Sequence, residues 1–141
     1  MKVAFNFKII ILEDDDFYNR FLTSYLTKNL EELGIIKGFT VSISSFTSFN
    51  DCSLNLTNDV DILFSDYYLN DGCNAPSIMN KLKKDGINCK VIILSRLNCL
   101  QTSLAPLLEG AADFVQKNNK AMQRCLHISE AIISEKMKLI N

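Results

Sequence analysis

The sequence of 141 residues has a single histidine, and none of its five cysteines forms a C-x-x-C pair. Structural zinc sites need several such ligands at close spacing, so a zinc site is not expected. No apolar run is long enough to span a bilayer, and the first residues lack the apolar stretch and cleavage site of a signal peptide. We therefore expect a cytoplasmic protein whose reduced cysteines act as small apolar residues.

The chain also lacks an excess of either charge. Lysine and arginine number 15 against 16 acids, which gives a formal net charge of −1. This balance offers no electrostatic reason to expect nucleic acid or an anionic membrane as a partner. Apolar residues make up 48% and charged residues 22%, a globular composition that excludes a disordered or fibrous chain. We find no repeat or linker, and we expect a single domain over residues 1–141 with no output domain.

Short apolar segments alternate along the chain with segments of helical periodicity. The five predicted strands are Phe7–Leu12, Thr40–Ser44, Val60–Ser65, Lys90–Leu94 and Asp113–Gln116. The predicted helices are Phe17–Leu33, stopped by Gly34, a short one within 45–58, one from Pro76 to about Lys84, a weak one at 98–109, and Ala121–Ile140. This alternation favours an α/β fold, in which helices cover both faces of a parallel sheet.

Polar side chains follow several of the predicted strands. Glu13 and Asp14 follow the first strand, Asp66 the third, Ser95 the fourth and Lys117 the fifth. In such sheets ligands bind beyond the carboxyl ends of the strands. Clustered carboxylates repel one another unless a cation neutralises them, and Mg²⁺ prefers carboxylate oxygens and water. The ammonium and the hydroxyl would complete a site for a phosphoryl group, with Asp66 as its nucleophile.

The order of these residues resembles the receiver domain of two-component response regulators. The resemblance is carried by four segments in sequence, none of which is specific alone: IIILEDD at 9–15, DILFSDYYL at 61–69, VIILS at 91–95 and GAADFVQK at 110–117. It covers about residues 7–133. It implies a flavodoxin-like, doubly wound (βα)5 fold with a five-stranded parallel sheet in the order 2-1-3-4-5.

The resemblance also implies the roles of the residues at the site. Asp66 would be the phosphorylated aspartate, and Lys117 would pair with its phosphoryl group. Glu13 and Asp14 would hold Mg²⁺, together with Asp66 and the backbone oxygen of Tyr68. Mg²⁺ is the only cofactor that this pattern implies.

Two further residues would form a switch. Ser95 would turn its hydroxyl towards the phosphoryl group, and Phe114 would move inward with it. The implied function is a response regulator that takes its phosphoryl group from a sensor histidine kinase or a phosphotransfer protein. It would be no enzyme beyond catalysing its own phosphorylation and dephosphorylation. The signal would pass through the face of the last two helices and the fifth strand to a downstream effector protein, with a phosphorylation-dependent homodimer as a further option.

Three positions depart from the receiver pattern. Asn118 follows Lys117, where a proline is usual, and Asn70 stands where a proline is frequent. Arg96 follows Ser95, where the residue is usually small. Arg96 would cap the phosphoryl group, block access to the site, or point to solvent, and the sequence leaves these three alternatives open.

Three other interpretations compete with a phosphorylated receiver. A flavodoxin-like cofactor binder would need Gly, Ser or Thr after the first strand to hold phosphate, where this chain has four acids. A haloacid-dehalogenase-like phosphatase would use Asp14 and Asp16 as its acid pair, but it leaves Asp66 without a role. A receiver-like protein-interaction module that is not phosphorylated keeps the fold. Arg96 and Asn118 favour it, whereas the intact acids, with Asp66, Ser95 and Lys117, argue against it.

Overall fold

The computed structural model describes residues 5–96 and 110–140. Five strands form one sheet: β1 (Phe5–Leu12), β2 (Phe39–Phe46), β3 (Ile62–Asp66), β4 (Lys90–Ser95) and β5 (Asp113–Gln116). They lie in the order β2-β1-β3-β4-β5, and every pairing is parallel. The predicted fold class and the predicted strand order are therefore confirmed.

The described helices are α1 (Asp16–Lys37), α2 (Phe49–Ser53), α3 (Ala75–Lys84) and a C-terminal helix (Ala121–Ile140). The helix predicted at 98–109 lies outside the described residues. Among the helices that are described, none combines the length and apolar character that crossing a membrane would need.

The sheet separates two apolar layers, as the continuous apolar runs of its central strands require. Ile9 and Ile11 of β1 face the layer that contains α1 and the C-terminal helix. Ile10 and Leu12 face the opposite layer, which contains α2 and α3. All four side chains are fully buried. The strand therefore cannot slip by one residue without exchanging its two buried faces.

Helix α1 runs further than the sequence analysis predicted. Asp15 caps its first turn, but the helix passes through Gly34 and ends at Lys37. The stop is Gly38, which adopts the left-handed conformation with φ of 88°. Gly34 has a packing role instead, because a Cβ atom there would clash with the backbone oxygen of Phe39. The prediction that Gly34 ends the helix was wrong.

The parallel arrangement brings the carboxyl ends of the central strands to one edge. Backbone hydrogen bonds continue just past the strands: the Glu13 N–H donates to the Phe46 oxygen at 3.0 Å, and the Lys117 N–H to the Ser95 oxygen at 2.7 Å. Asp66 is the last residue of β3 between them. These hydrogen bonds fix the backbone at Glu13 and Lys117, the polar residues that directly follow β1 and β5.

Candidate functional site

Three carboxylates meet at the carboxyl edge of the sheet. Glu13, Asp14 and Asp66 each offer an oxygen, and the three atoms lie within 4.8 Å of one another. Glu13 is buried and the other two are half-buried. They open onto a cavity of about 280 Å³, whose remaining lining residues are Asp15, Tyr68, Asn70, Arg96 and Lys117. The acids predicted to share a site therefore do come together.

The Lys117 ammonium lies between two of these acids. It forms a short ion pair with Glu13 and a second one, at 3.3 Å, with Oδ2 of Asp66. Only 4% of the Lys117 side chain is exposed. Within residues 5–96 and 110–140, Asp14 forms no ion pair, and its Oδ2 accepts the Asn70 backbone N–H at 2.6 Å. One ammonium against three carboxylates leaves an excess of negative charge when all are ionised.

The pKa of Glu13 is shifted by these surroundings. Its burial raises the pKa of the Glu13 carboxyl to about 7, and the nearby Asp66 charge acts in the same direction, whereas the Lys117 ammonium opposes both. The donor set consists of three carboxylate oxygens within 4.8 Å of one another, with surplus negative charge. Such a set fits a hard divalent cation such as Mg²⁺, which would favour the ionised form of Glu13.

Side chains from the start of α1 fix the end of β1. The Asn19 side-chain amide, itself buried, donates to the backbone oxygens of Glu13 at 2.9 Å and Phe46 at 3.0 Å. Asp15 acts as the N-cap, since its Oδ1 accepts the Tyr18 N–H at 2.9 Å. Asp15 is therefore a helix-capping residue.

The loop after β3 reaches the same cavity. Tyr68 lines it and is held by an antiparallel bridge to Asn74. The backbone of Asn70 contacts Asp14, as described above, and this contact uses no feature of the Asn70 side chain. The sequence therefore carried no signal for it. The backbone oxygen of Tyr68 as a metal ligand stays a prediction.

The two predicted switch residues lie on the neighbouring strands β4 and β5. Ser95 ends β4 and is 3% exposed, and its backbone oxygen accepts the Lys117 N–H. Phe114 pairs with Ile93 across β5 and β4, and it packs half-buried against the layer of α2 and α3. The structure therefore sets Ser95 beside Lys117 along the backbone. The movement of either side chain stays a prediction.

Two of the departures from the receiver pattern acquire structural surroundings. The Arg96 guanidinium lines the cavity and pairs with Oδ2 of Asp15 at 3.3 Å, so it lies at the rim of the site. Asn118 begins the turn into the C-terminal helix: its Oδ1 accepts the Lys120 N–H at 2.9 Å, and its backbone oxygen accepts the Ala121 N–H at 3.2 Å.

Tyr18 is the site residue that the sequence analysis missed. Its ring centroid lies 4.6 Å from the Lys117 ammonium nitrogen. Its hydroxyl is buried and, among the described residues, has no hydrogen-bond partner. The only available signal was its place in the first turn of the helix that follows the acids.

Three solved structures show the same fold as this chain. A response regulator receiver protein from Pseudoalteromonas atlantica is 18% identical with a TM-score of 0.75, and the match covers 92% of this chain and 98% of that one. A Francisella response regulator receiver domain is 20% identical, with a TM-score of 0.72 and the same coverage. A two-component response regulator from Clostridium difficile is 21% identical, with a TM-score of 0.68, 91% coverage of this chain and 96% of that one.

No family model and no curated protein matches the sequence. At these identities the structural likeness establishes the fold: the chain has the fold of response regulator receiver domains. The resemblance seen in the sequence is confirmed at that level.

The geometry also bears on the phosphatase alternative. That interpretation needs Asp14 and Asp16 as the acid pair, but Asp16 is exposed at the start of α1. Asp66, which would have no role in it, lies among the clustered acids beside Lys117. The arrangement therefore favours chemistry centred on Asp66.

Proposed function

We propose that this chain is a response regulator receiver that accepts a phosphoryl group on Asp66 with Mg²⁺. The observation that carries the proposal is the placing of Asp66, 3.3 Å from the Lys117 ammonium and grouped with Glu13 and Asp14, on a receiver-domain fold. The donor would be a sensor histidine kinase or a phosphotransfer protein.

The reaction is a displacement at phosphorus. A carboxylate oxygen of Asp66 forms a bond to phosphorus while the phosphorus–nitrogen bond of a phosphohistidine breaks, and the imidazole nitrogen keeps the electron pair. The Lys117 ammonium binds a phosphoryl oxygen, since it already lies against Asp66. Little covalent work falls to the protein beyond the nucleophile, so its contribution is chiefly position and charge.

The acids would hold the metal ion. Glu13, Asp14 and Asp66 supply carboxylate oxygens in one cavity, and the backbone oxygen of Tyr68, which lines the same cavity, would add another ligand. Bound Mg²⁺ supplies neutralisation of the charge on the phosphoryl oxygens. The surplus negative charge of the acids, with a single ammonium among them, supports this assignment.

The response to phosphorylation would start at Ser95 and Phe114. A phosphoryl group adds nearly two negative charges and strong acceptor oxygens beside the strand ends. The Ser95 hydroxyl would donate to it, and Phe114 would move into the space this opens, which biases the face of β5 and the C-terminal helix. A downstream effector protein, or a second copy of the chain, would read that face in the cytoplasm.

One observation favours a second candidate function. The Arg96–Asp15 ion pair stands at the rim of the cavity. If this pair keeps phosphodonors out, the chain is a receiver-like protein-interaction module that is not phosphorylated.

Intact-mass spectrometry after incubation with acetyl phosphate distinguishes the two functions. The samples are wild type, Asp66→Asn and, as a matched control, Asp85→Asn, which changes the residue that caps the end of α3. We expect one phosphoryl adduct on wild type and on Asp85→Asn that requires Mg²⁺, and none on Asp66→Asn.

Two outcomes would contradict the proposal. An adduct that persists in Asp66→Asn would place the chemistry on another residue. The absence of an adduct on folded wild type that binds Mg²⁺ would favour the interaction module.

A further inference from the structure

The ring of Tyr18 lies against the ammonium group at the centre of the site. Tyr18 belongs to the first turn of α1, and its ring centroid is 4.6 Å from Nζ of Lys117. A cation within about 6 Å of an aromatic ring face is attracted to it, and more strongly where water is excluded. Water is excluded here, because 4% of the Lys117 side chain is exposed.

The hydroxyl of Tyr18 forms no hydrogen bond with the part of the chain that the structure describes, although it is shielded from solvent. Burial raises the pKa of Tyr18 well above its usual range, so the phenol is neutral at physiological pH. The ring face is therefore the part of this side chain that acts on Lys117.

We propose that Tyr18 is a positioning residue for Lys117 in phosphoryl transfer to Asp66, an inference that rests on the proposed function. A lysine side chain is flexible, and its ammonium carries no preferred direction of its own. Here the ammonium pairs with two carboxylates, and the Glu13 carboxylate attracts it away from Asp66. The Tyr18 ring adds a third contact, which keeps the ammonium within reach of Asp66.

This contact matters most when a phosphoryl group arrives. With acetyl phosphate, an oxygen of Asp66 bonds to phosphorus, the bond between phosphorus and the acetyl oxygen breaks, and acetate leaves with the electron pair. Lys117 must then meet a new oxygen beside Asp66 while its ion pair with Glu13 pulls it back. The ring keeps the ammonium in place through that exchange and costs no additional desolvation.

Two substitutions separate the ring from the hydroxyl. Tyr18→Phe keeps the ring face and removes the hydroxyl, so we expect phosphorylation at the wild-type rate. Tyr18→Leu fills the apolar space without a ring, and we expect the rate at saturating acetyl phosphate and Mg²⁺ to fall about tenfold. The Mg²⁺ concentration that gives half the maximal rate should stay near its wild-type value, because no proposed metal ligand changes.

Tyr25→Leu is the control for general loss of packing in α1. Tyr25 lies on the same helix and packs, half-buried, against the same apolar layer as Tyr18. Its substitution should leave the phosphorylation rate unchanged. Thermal unfolding of each variant shows that the compared proteins are folded at the assay temperature.

Nuclear magnetic resonance tests the contact without any phosphorylation. Protons above an aromatic ring resonate upfield, so the ε-methylene protons of Lys117 should be shifted upfield in wild type and Tyr18→Phe. They should return to ordinary values in Tyr18→Leu, and the Tyr25→Leu spectrum should resemble wild type.

The outcomes separate this proposal from the proposed function. If wild type accepts phosphoryl groups but Tyr18→Leu does so equally fast, or Tyr18→Phe slows as much as Tyr18→Leu, the role of the Tyr18 ring is rejected alone. Unshifted Lys117 protons in wild type reject it as well. If wild type takes no phosphoryl group, the proposed function fails and the positioning role falls with it.

Discussion

Strand β3 has an aspartate at each end, and the surroundings of the two side chains differ. Asp66 is the last residue of the strand. Asp61 precedes the strand at the amino edge of the sheet. Its Oδ2 accepts the Lys8 backbone N–H at 2.8 Å, and its Oδ1 pairs with the Lys136 ammonium at 2.5 Å. One ammonium there balances the charge of one acid, and each oxygen of that acid accepts a hydrogen bond.

The carboxyl edge lacks this balance. Asp66 shares the Lys117 ammonium with Glu13, and Asp14 stands in the same cavity. Like charges at this spacing oppose one another and weaken the folded state until a cation enters. Local conflict of this kind is typical of functional sites in proteins whose remaining structure is consistent. We infer that the amino edge stabilises the fold, whereas the carboxyl edge gives up stability for binding.

Lys117→Met would test this contrast with the largest expected effect. It removes the ammonium and leaves the buried Glu13 carboxylate beside Asp66. In EDTA at pH 8 we expect the free energy of unfolding to fall by about 4 kcal/mol, the usual cost of breaking a buried ion pair on one side. Mg²⁺ should reduce the difference from wild type, because its positive charge compensates for the missing ammonium and so stabilises the folded variant more than folded wild type. Urea denaturation with and without Mg²⁺ measures both quantities.

The control for this variant is Lys81→Met. Lys81 pairs with Asp85 at 2.7 Å along α3, and both side chains are more than a third exposed. Such surface pairs contribute less than about 0.5 kcal/mol. Equal losses of unfolding free energy in the two lysine variants would show that Lys117 contributes no more to stability than a surface lysine.

The pH dependence of stability gives the second largest effect. Burial raises the pKa of Glu13 from 4.5 to about 7, so the folded chain keeps a proton that the unfolded chain releases. The stability from this group is fully present below pH 4.5 and is lost as the pH rises through about 7. In EDTA, unfolding free energy should fall by about 3 kcal/mol across this range.

Urea denaturation in EDTA at several pH values measures this slope, and Glu13→Gln should remove it. Because Mg²⁺ favours the ionised carboxylate, adding it should flatten the slope in wild type. A wild-type stability that rises towards pH 8 without metal would contradict the charge conflict at the carboxyl edge.

The contacts that define both edges differ in how far the sequence predicts them. Glu13, Asp66 and Lys117 could be grouped in advance, because parallel strands necessarily bring their carboxyl ends together. The pairing of Asp61 with Lys136 could not, since it joins a strand to a helix distant in sequence. The Tyr18–Lys117 contact escaped prediction for the same reason.

The local sequence pattern also gave a wrong helix end where a contact with a residue outside the helix determined the structure. A glycine near the end of an apolar helical run usually marks the helix end, and Gly34 was interpreted that way. The close approach of Phe39 instead requires a residue without a side chain at this point inside α1. A helix end that is set by packing therefore cannot be predicted from a local pattern, whereas the ends of the strands were predicted to within a few residues.

Asp61→Ala examines the amino edge and ranks third. It removes the acceptor for the Lys8 N–H and the partner of Lys136, at a side chain that is 19% exposed. Because a hydrogen bond to a charged group usually contributes about 2 kcal/mol, we expect the unfolding free energy of Asp61→Ala to fall by about that amount. The difference from wild type should be the same with and without Mg²⁺, because the acids of the cavity are unchanged and Mg²⁺ stabilises both folded proteins equally.

Lys136→Met separates the two contacts of Asp61. It keeps the Lys8 hydrogen bond and removes only the ion pair, so it should lose less than half as much as Asp61→Ala. Urea denaturation compares the two variants. A difference between wild type and Asp61→Ala that shrinks when Mg²⁺ is added would show that the two edges are coupled and would end the contrast between them.

The rim of the cavity gives the smallest expected effect. The Arg96 and Asp15 side chains are 68% and 43% exposed, so water and salt screen their ion pair. Asp15 has a second role, because its Oδ1 caps α1 through the Tyr18 N–H. Arg96→Ala and Asp15→Asn should therefore leave the midpoint of thermal unfolding within about 2 °C of wild type, while Asp15→Ala, which removes the cap, lowers it by about 2–4 °C. A larger fall in the unfolding midpoint of Arg96→Ala that Mg²⁺ reverses would show that Arg96 helps to balance the charge of the acids. The carboxyl edge would then lack less positive charge than its three acids and one lysine indicate.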